Sequence, residues 1–260
     1  MTEPSATSDE GVSPGSDNRS PQAARWGFWA TVAWALLVAA IFIVVQTGTI
    51  LAAAEWFPAN PADRNLAQSM ISGATKAYSF PLANVLTTIV CCGSIIAIVR
   101  LKKDAIVREY LCLKPVALVT MLKWTGLFVV ATVATESILI WLDLPSDNDF
   151  TSTVYANAQP NWMLWLALVV AVPLFEEMFF RGFLLTGFAS SFLGPIGAVL
   201  VTTGLWAALH TQYGVTGIAV MFCFGLLLGA ARMRTGSLMV PLGLHALENL
   251  LATAAVAFFS

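Results

Sequence analysis

Glu176-Glu177-Met178-Phe179-Phe180-Arg181 lies inside an apolar stretch that runs from about residue 161 to 186. No Asp, Glu, Lys or Arg occurs between Asp149 and Glu176, and none between Arg181 and Arg232. A charge at bilayer depth costs at least about 2.5–3.5 kcal/mol on insertion scales, so three charged groups within one span are a functional signal before they are anything else. Their setting also decides the fold class. Apolar runs of about 20 residues span a bilayer as helices, because lipid cannot satisfy an open backbone.

The rest of the chain repeats that pattern. Of 260 residues, 58% are hydrophobic and 11% charged, against about 25% charged in soluble domains. Seven spans are expected, at about 26–51, 80–100, 116–142, 161–186, 195–211, 214–231 and 237–259. The fold class is therefore all-α, a multi-pass transmembrane bundle of about seven spans with room for an eighth helix. Residues 1–25 are rich in Ser, Pro, Asp, Asn and Glu and read as a disordered polar tail. Residues 26–260 form the transmembrane domain. The 52–79 connection holds Pro58 and Pro61 and reads as a loop, with a short surface helix at Asn65–Tyr78. No basic patch suits nucleic acid.

Charge asymmetry sets an orientation. The 101–115 connection carries Lys102, Lys103, Arg108 and Lys114, whereas 143–160 has no Lys or Arg. Arg232 and Arg234 lie between the last two spans. These place the N-terminus in the cytoplasm and the C-terminus outside. Cys91, Cys92, Cys112 and Cys223 lack metal-type spacing and read as packing residues.

Residues four apart share a helix face, so Glu177 and Arg181 can pair. Glu176 points about 100° away and is left to face a cavity as a general base. His210 and His245 are the only histidines, and His245 shares a face with Asn249. Glu176, His210, His245 and Asn249 are thus the candidate catalytic groups: a base for water and donors for an oxyanion. Glu177, Arg181 and Glu248 are candidate supports, with Glu248 in reach to orient His245. Glu176, His210 and His245 also make a His₂Glu set that can hold one divalent metal such as zinc. The cofactor stays open at this point. Pro173 and Pro241 each remove a backbone hydrogen bond and bend their helices. Glu136 is a second carboxylate at span depth, and Gly225-Leu-Leu-Leu-Gly229 is a close-packing motif. These span limits leave His210 and His245 more than about 10 Å apart in depth.

The order Glu-Glu-x-x-x-Arg, aromatic-x-x-x-His, His-x-x-x-Asn on separate spans resembles the CPBP intramembrane proteases, which include type II CAAX prenyl endopeptidases and bacteriocin-processing enzymes. The resemblance covers about residues 160–255, and Arg234 to Asn249 is similar to the family's last motif. It implies that Glu176 activates water with Glu177 and Arg181 as support. His210 would polarise water or bind metal, and His245 and Asn249 would stabilise the oxyanion. Trp206 departs from the family, which more often has Phe there. The expected function is an intramembrane endopeptidase that is CAAX-protease-like and either metallo- or glutamate-dependent. Its expected partners are membrane lipids and a peptide or protein substrate, lipid-modified or embedded in the membrane. The alternative is a non-enzymatic scaffold or bacteriocin self-immunity factor that keeps the fold. A small proton-coupled transporter is a third reading.

Overall fold

The computed structural model describes residues 25–56, 79–144, 149–158 and 160–259. Residues 1–24 of the expected tail and the expected surface helix at Asn65–Tyr78 lie outside these. The described residues form helices and no strand. In chain order they are α1 (Phe28–Trp56), α2 (Ser79–Leu101), α3 (Val107–Tyr110), α4 (Leu118–Trp141), α5 (Asp149–Asn157), α6 (Asn161–Ala189), α7 (Gly194–Ala208), α8 (Gly214–Thr235) and α9 (Met239–Phe259). α1, α2, α4, α6, α8 and α9 are long and apolar enough to cross a membrane. The expected fifth span is α7, which has 15 residues. At 1.5 Å per residue it is about 22 Å long, shorter than the roughly 30 Å hydrocarbon core.

α6 is the organising element. Its middle turns, Met178 to Phe188, are all buried. Phe183, Leu184 and Leu185 pack with Cys91, Ile95 and Val99 of α2 and Leu111 beyond α3 in one cluster. Phe128 of α4, Leu228 of α8 and Val240 and Leu244 of α9 form a second. α1 and α4 are the least buried long helices. Val44, Leu122, Val130 and Ile140 on them are exposed, as lipid-facing side chains must be.

Glycine lets α8 approach α7. A Cβ on Gly225 would lie 2.8 Å from Thr203 Cγ2 and 3.1 Å from the Trp206 ring, and one on Gly229 would lie 2.8 Å from Val199. The GxxxG motif therefore brings two backbones together. Gly214 opens α8 at φ 63° and ψ −174°, a region that is essentially glycine-only. That turn ends the α7 path and reverses the chain directly after His210.

The prolines behave differently from one another. Pro173 lies within α6, between two π-helical stretches at Leu166–Ala171 and Glu177–Leu184. Pro241 is the third residue of α9. Amides in a first turn have no intrahelical partner to lose, so Pro241 costs no hydrogen bond and does not bend α9, contrary to the sequence expectation. Ser237 Oγ accepts from the Met239 amide at 3.1 Å and donates to the Lys114 carbonyl, and the Leu238 amide donates to the Cys112 carbonyl at 2.8 Å. The α8–α9 turn is thereby fastened to the segment after α3.

Candidate active site

The change of helical pitch in α6 falls between the two carboxylates. Glu176 closes the α-helical Val172–Glu176 and Glu177 opens the wider π-helical Glu177–Leu184. Such π stretches recur at functional sites. Glu177 and Arg181 are fully buried, and Arg181 Nη1 donates to Glu177 Oε1 at 2.9 Å. Arg181 Nη2 also donates to the Gly225 carbonyl at 3.4 Å. His245 Nδ1 lies 2.9 Å from the same Glu177 Oε1. A carboxylate can only accept, so Nδ1 carries the hydrogen and Nε2 is the atom left for chemistry. Glu177, rather than Glu248, holds the His245 ring.

Trp206 joins the remaining parts. Its Nε1–H donates to Glu176 Oε2 at 2.5 Å. Its ring lies under the Arg181 guanidinium, 4.6 Å from centroid to Cζ. The same ring is 5.5 Å from the His245 ring and 4.6 Å from the His210 ring. Two ring contacts therefore link the histidines through Trp206, which keeps both on one cavity despite the depth difference expected from the span limits. α7 is short, so its end stops at the level of the site. His210 Nδ1 lies 2.8 Å from the Trp206 carbonyl, which accepts its hydrogen, and Tyr213 stacks on the His210 ring at 6.1 Å. Sequence reading weighed Trp206 only as a bulkier Phe. Its signal was the indole N–H, a donor that Phe lacks.

Asn249 reaches back to α6. Its Nδ2 donates to the Leu168 carbonyl at 2.7 Å. Pro173, five residues on from Leu168, has no N–H with which to complete a π-type bond, and the asparagine amide takes that place. The amide keeps one further hydrogen.

These groups share a cavity of about 330 Å³, whose walls include Glu176, Trp206, His210, His245, Glu248 and Asn249. α5, within the stretch read from sequence as a connection, closes one side with Phe150 and Val154. Glu176 is 19% exposed and His245 4% by side chain, and Glu176 Oε2 stands 3.9 Å from His245 Nε2. That is too long for a direct hydrogen bond.

Comparison with known proteins gives a match over this part of the chain. Residues 158–251 match the family model described as type II CAAX prenyl endopeptidase Rce1-like. The matched segment contains all four candidate catalytic residues and both buried partners, and the match agrees with the resemblance to CPBP membrane proteases. An uncharacterized 24.3 kDa protein of Escherichia coli is 35% identical over 108 residues, 40% of this chain and 49% of that protein. The uncharacterized protein YyaK of Bacillus subtilis (strain 168) is 34% identical over 98 residues, 34% of this chain and 32% of that protein. The chain thus spans half or less of the length of these relatives. No solved structure gives a significant match. With six apolar helices of spanning length and a membrane-protease match, this is an integral multi-pass membrane protein.

Glu176, His210 and His245, the expected metal set, line one cavity. Among the described residues no three His, Cys, Asp or Glu side chains are grouped to hold an ion. Zinc needs N and O donors at about 2.0–2.2 Å. Glu176 Oε2 accepts from Trp206 and lies 3.9 Å from His245 Nε2, and holding one ion between the two would bring them to about 3.3 Å.

Proposed function

We propose that the protein is an intramembrane endopeptidase, CAAX-protease-like in its site, that hydrolyses a peptide bond with water activated by Glu176. The observation that supports this most is the 3.9 Å gap between Glu176 Oε2 and His245 Nε2 at the cavity wall. One water about 2.8 Å from each atom fits that gap. Glu176 takes its proton, and the hydroxide oxygen bonds to the peptide carbonyl carbon. In this step His245 acts as the imidazolium, with Nδ1–H kept on Glu177 and Nε2–H donated to the developing oxyanion. The second hydrogen of Asn249 Nδ2 is the other donor. Glu176 then passes its proton to the leaving amine as the C–N bond breaks. His210, with Nδ1–H held by the Trp206 carbonyl, offers Nε2 as an acceptor that positions the water.

Glu177 and Arg181 act through His245 and Trp206, not on the substrate. In the membrane the N-terminus faces the cytoplasm, following the Lys and Arg of the 101–115 connection.

Comparing membrane proteomes of cells with the intact chain and with Glu176→Gln tests the reading. New peptide termini are expected only with the intact chain. Their presence in both, at equal abundance, refutes Glu176 as the base.

A further inference from the structure

The start of α1 and the ends of α2, α6 and α8 come together on one side of the bundle. Two guanidinium groups stand there on one face of α6, a turn apart. Arg232 Nη2 donates to Thr186 Oγ1 at 3.4 Å, and Arg25 Nη1 donates to Ser190 Oγ at 3.1 Å. Both hydroxyls have already given their own hydrogens, Thr186 to the Tyr110 carbonyl at 3.1 Å and Ser190 to the Thr186 carbonyl at 2.9 Å. A third cation, the Lys102 ammonium, lies 5.2 Å over the Trp26 ring.

Arg232 departs from the usual behaviour of such residues. Basic side chains at span ends ordinarily reach water, as exposed Arg234 does two positions on. Arg232 is only 6% exposed, and its Nε–H has no acceptor. The indole N–H of Trp26 is also buried without an acceptor. Both groups can only donate. Among the described residues neither Arg25 nor Arg232 is paired with a carboxylate, since the ion pairs there join Arg181 and His245 to Glu176 and Glu177. The charged group within electrostatic reach of Arg232, besides the Cys112 thiol, is Arg25, a second cation. A buried guanidinium without a counter-charge is costly. The missing partner is therefore an acceptor that carries negative charge, and clustered guanidinium and N–H donors match the oxygens of a phosphate. Depth decides its source. Arg25, Trp26, Lys102, Thr186, Ser190 and Arg232 all lie within three residues of the end of a spanning helix, the level of lipid headgroups.

We propose that Arg25 and Arg232 hold the phosphate of an anionic phospholipid, with the Trp26 indole N–H as a further donor. The bound headgroup fastens α1 and α8 to the end of α6. This binding is independent of whether the cavity cleaves peptides.

The test uses full-length protein, stripped of lipid in a neutral maltoside detergent. The probes are palmitoyl-oleoyl phosphatidylglycerol, palmitoyl-oleoyl phosphatidylcholine and inorganic phosphate. Native mass spectrometry reads binding and scanning fluorimetry reads the melting midpoint. Phosphatidylglycerol is expected to bind about tenfold tighter than phosphatidylcholine and to raise the midpoint, and millimolar inorganic phosphate to do neither. Arg25→Gln/Arg232→Gln is expected to abolish the preference. Arg234→Gln, which removes an exposed cation at the same end of α8, should keep it. Arg25→Gln alone should lose most of it, which keeps the test readable if the Arg232 variant does not fold. Equal binding of the two lipids by the unmutated protein overturns the proposal, as would follow if the acids of residues 1–24 filled the site. So does a preference that survives in the folded double variant or in Arg25→Gln, or a loss as large in Arg234→Gln. Stabilisation by inorganic phosphate equal to that by phosphatidylglycerol makes a free anion the occupant and overturns the lipid.

Discussion

Removing Arg181 while keeping Glu177 is the sharpest perturbation of the buried network. Arg181→Met takes away the 2.9 Å bond to Glu177 Oε1, the 3.4 Å bond to the Gly225 carbonyl and the stack on Trp206. Glu177, with no exposed surface, is left to balance its charge on His245 alone. Breaking one side of a buried pair costs about 3–5 kcal/mol. At roughly 2–4 °C per kcal/mol for a chain of this size, the midpoint in detergent should fall by about 6–20 °C. Glu177→Leu/Arg181→Met removes both charges and should recover most of that loss, because apolar replacement of a whole buried pair is close to neutral. Cleavage should not recover, since His245 Nδ1 then has no acceptor and its ring loses its fixed tautomer. Scanning fluorimetry and peptide cleavage on the three proteins measure both. A single variant within about 1 kcal/mol of the parent, a double variant no better than the single, or a double variant that regains activity refutes the reasoning.

Asn249→Ala should both inactivate and destabilise, by about 1–3 kcal/mol, because the Leu168 carbonyl loses its donor; Glu176→Gln should inactivate with a midpoint within about 1 kcal/mol of the parent, and thermal melts separate the two. Gly225→Val should cost more than Gly225→Ala, since even the Cβ meets Thr203 at 2.8 Å, and overpacking of this kind costs about 1–3 kcal/mol. Gly214→Ala should cost about 1–3 kcal/mol through its backbone angles and should lower kcat by moving His210, read as a kcat loss at near-constant KM.

Much of the bundle was readable because lipid imposes one rule, that every span be helical and apolar throughout. α1, α2, α4, α6, α8 and α9 follow it closely. α7 escaped because its apolar run is continuous with the turn at Thr211–Tyr213, and hydropathy cannot see a helix stop that glycine backbone angles make. The candidate site residues stood out by rarity of charge. Their wiring did not. The link from Glu177 to His245 joins positions 68 apart, and that from Trp206 to Glu176 joins positions 30 apart. One sequence carries no periodicity for such pairs. The π stretches of α6 were equally hidden, because an apolar wheel looks the same at either pitch.

The brevity of α7 has a consequence for the surrounding lipid. An element about 8 Å shorter than the hydrocarbon slab forces hydrophobic mismatch, and the bilayer must thin beside it or polar headgroups must sink toward its end. On the protease proposal, that dimple is the route by which water reaches the site. Turnover should accordingly depend on acyl length, falling as thicker membranes seal the dimple.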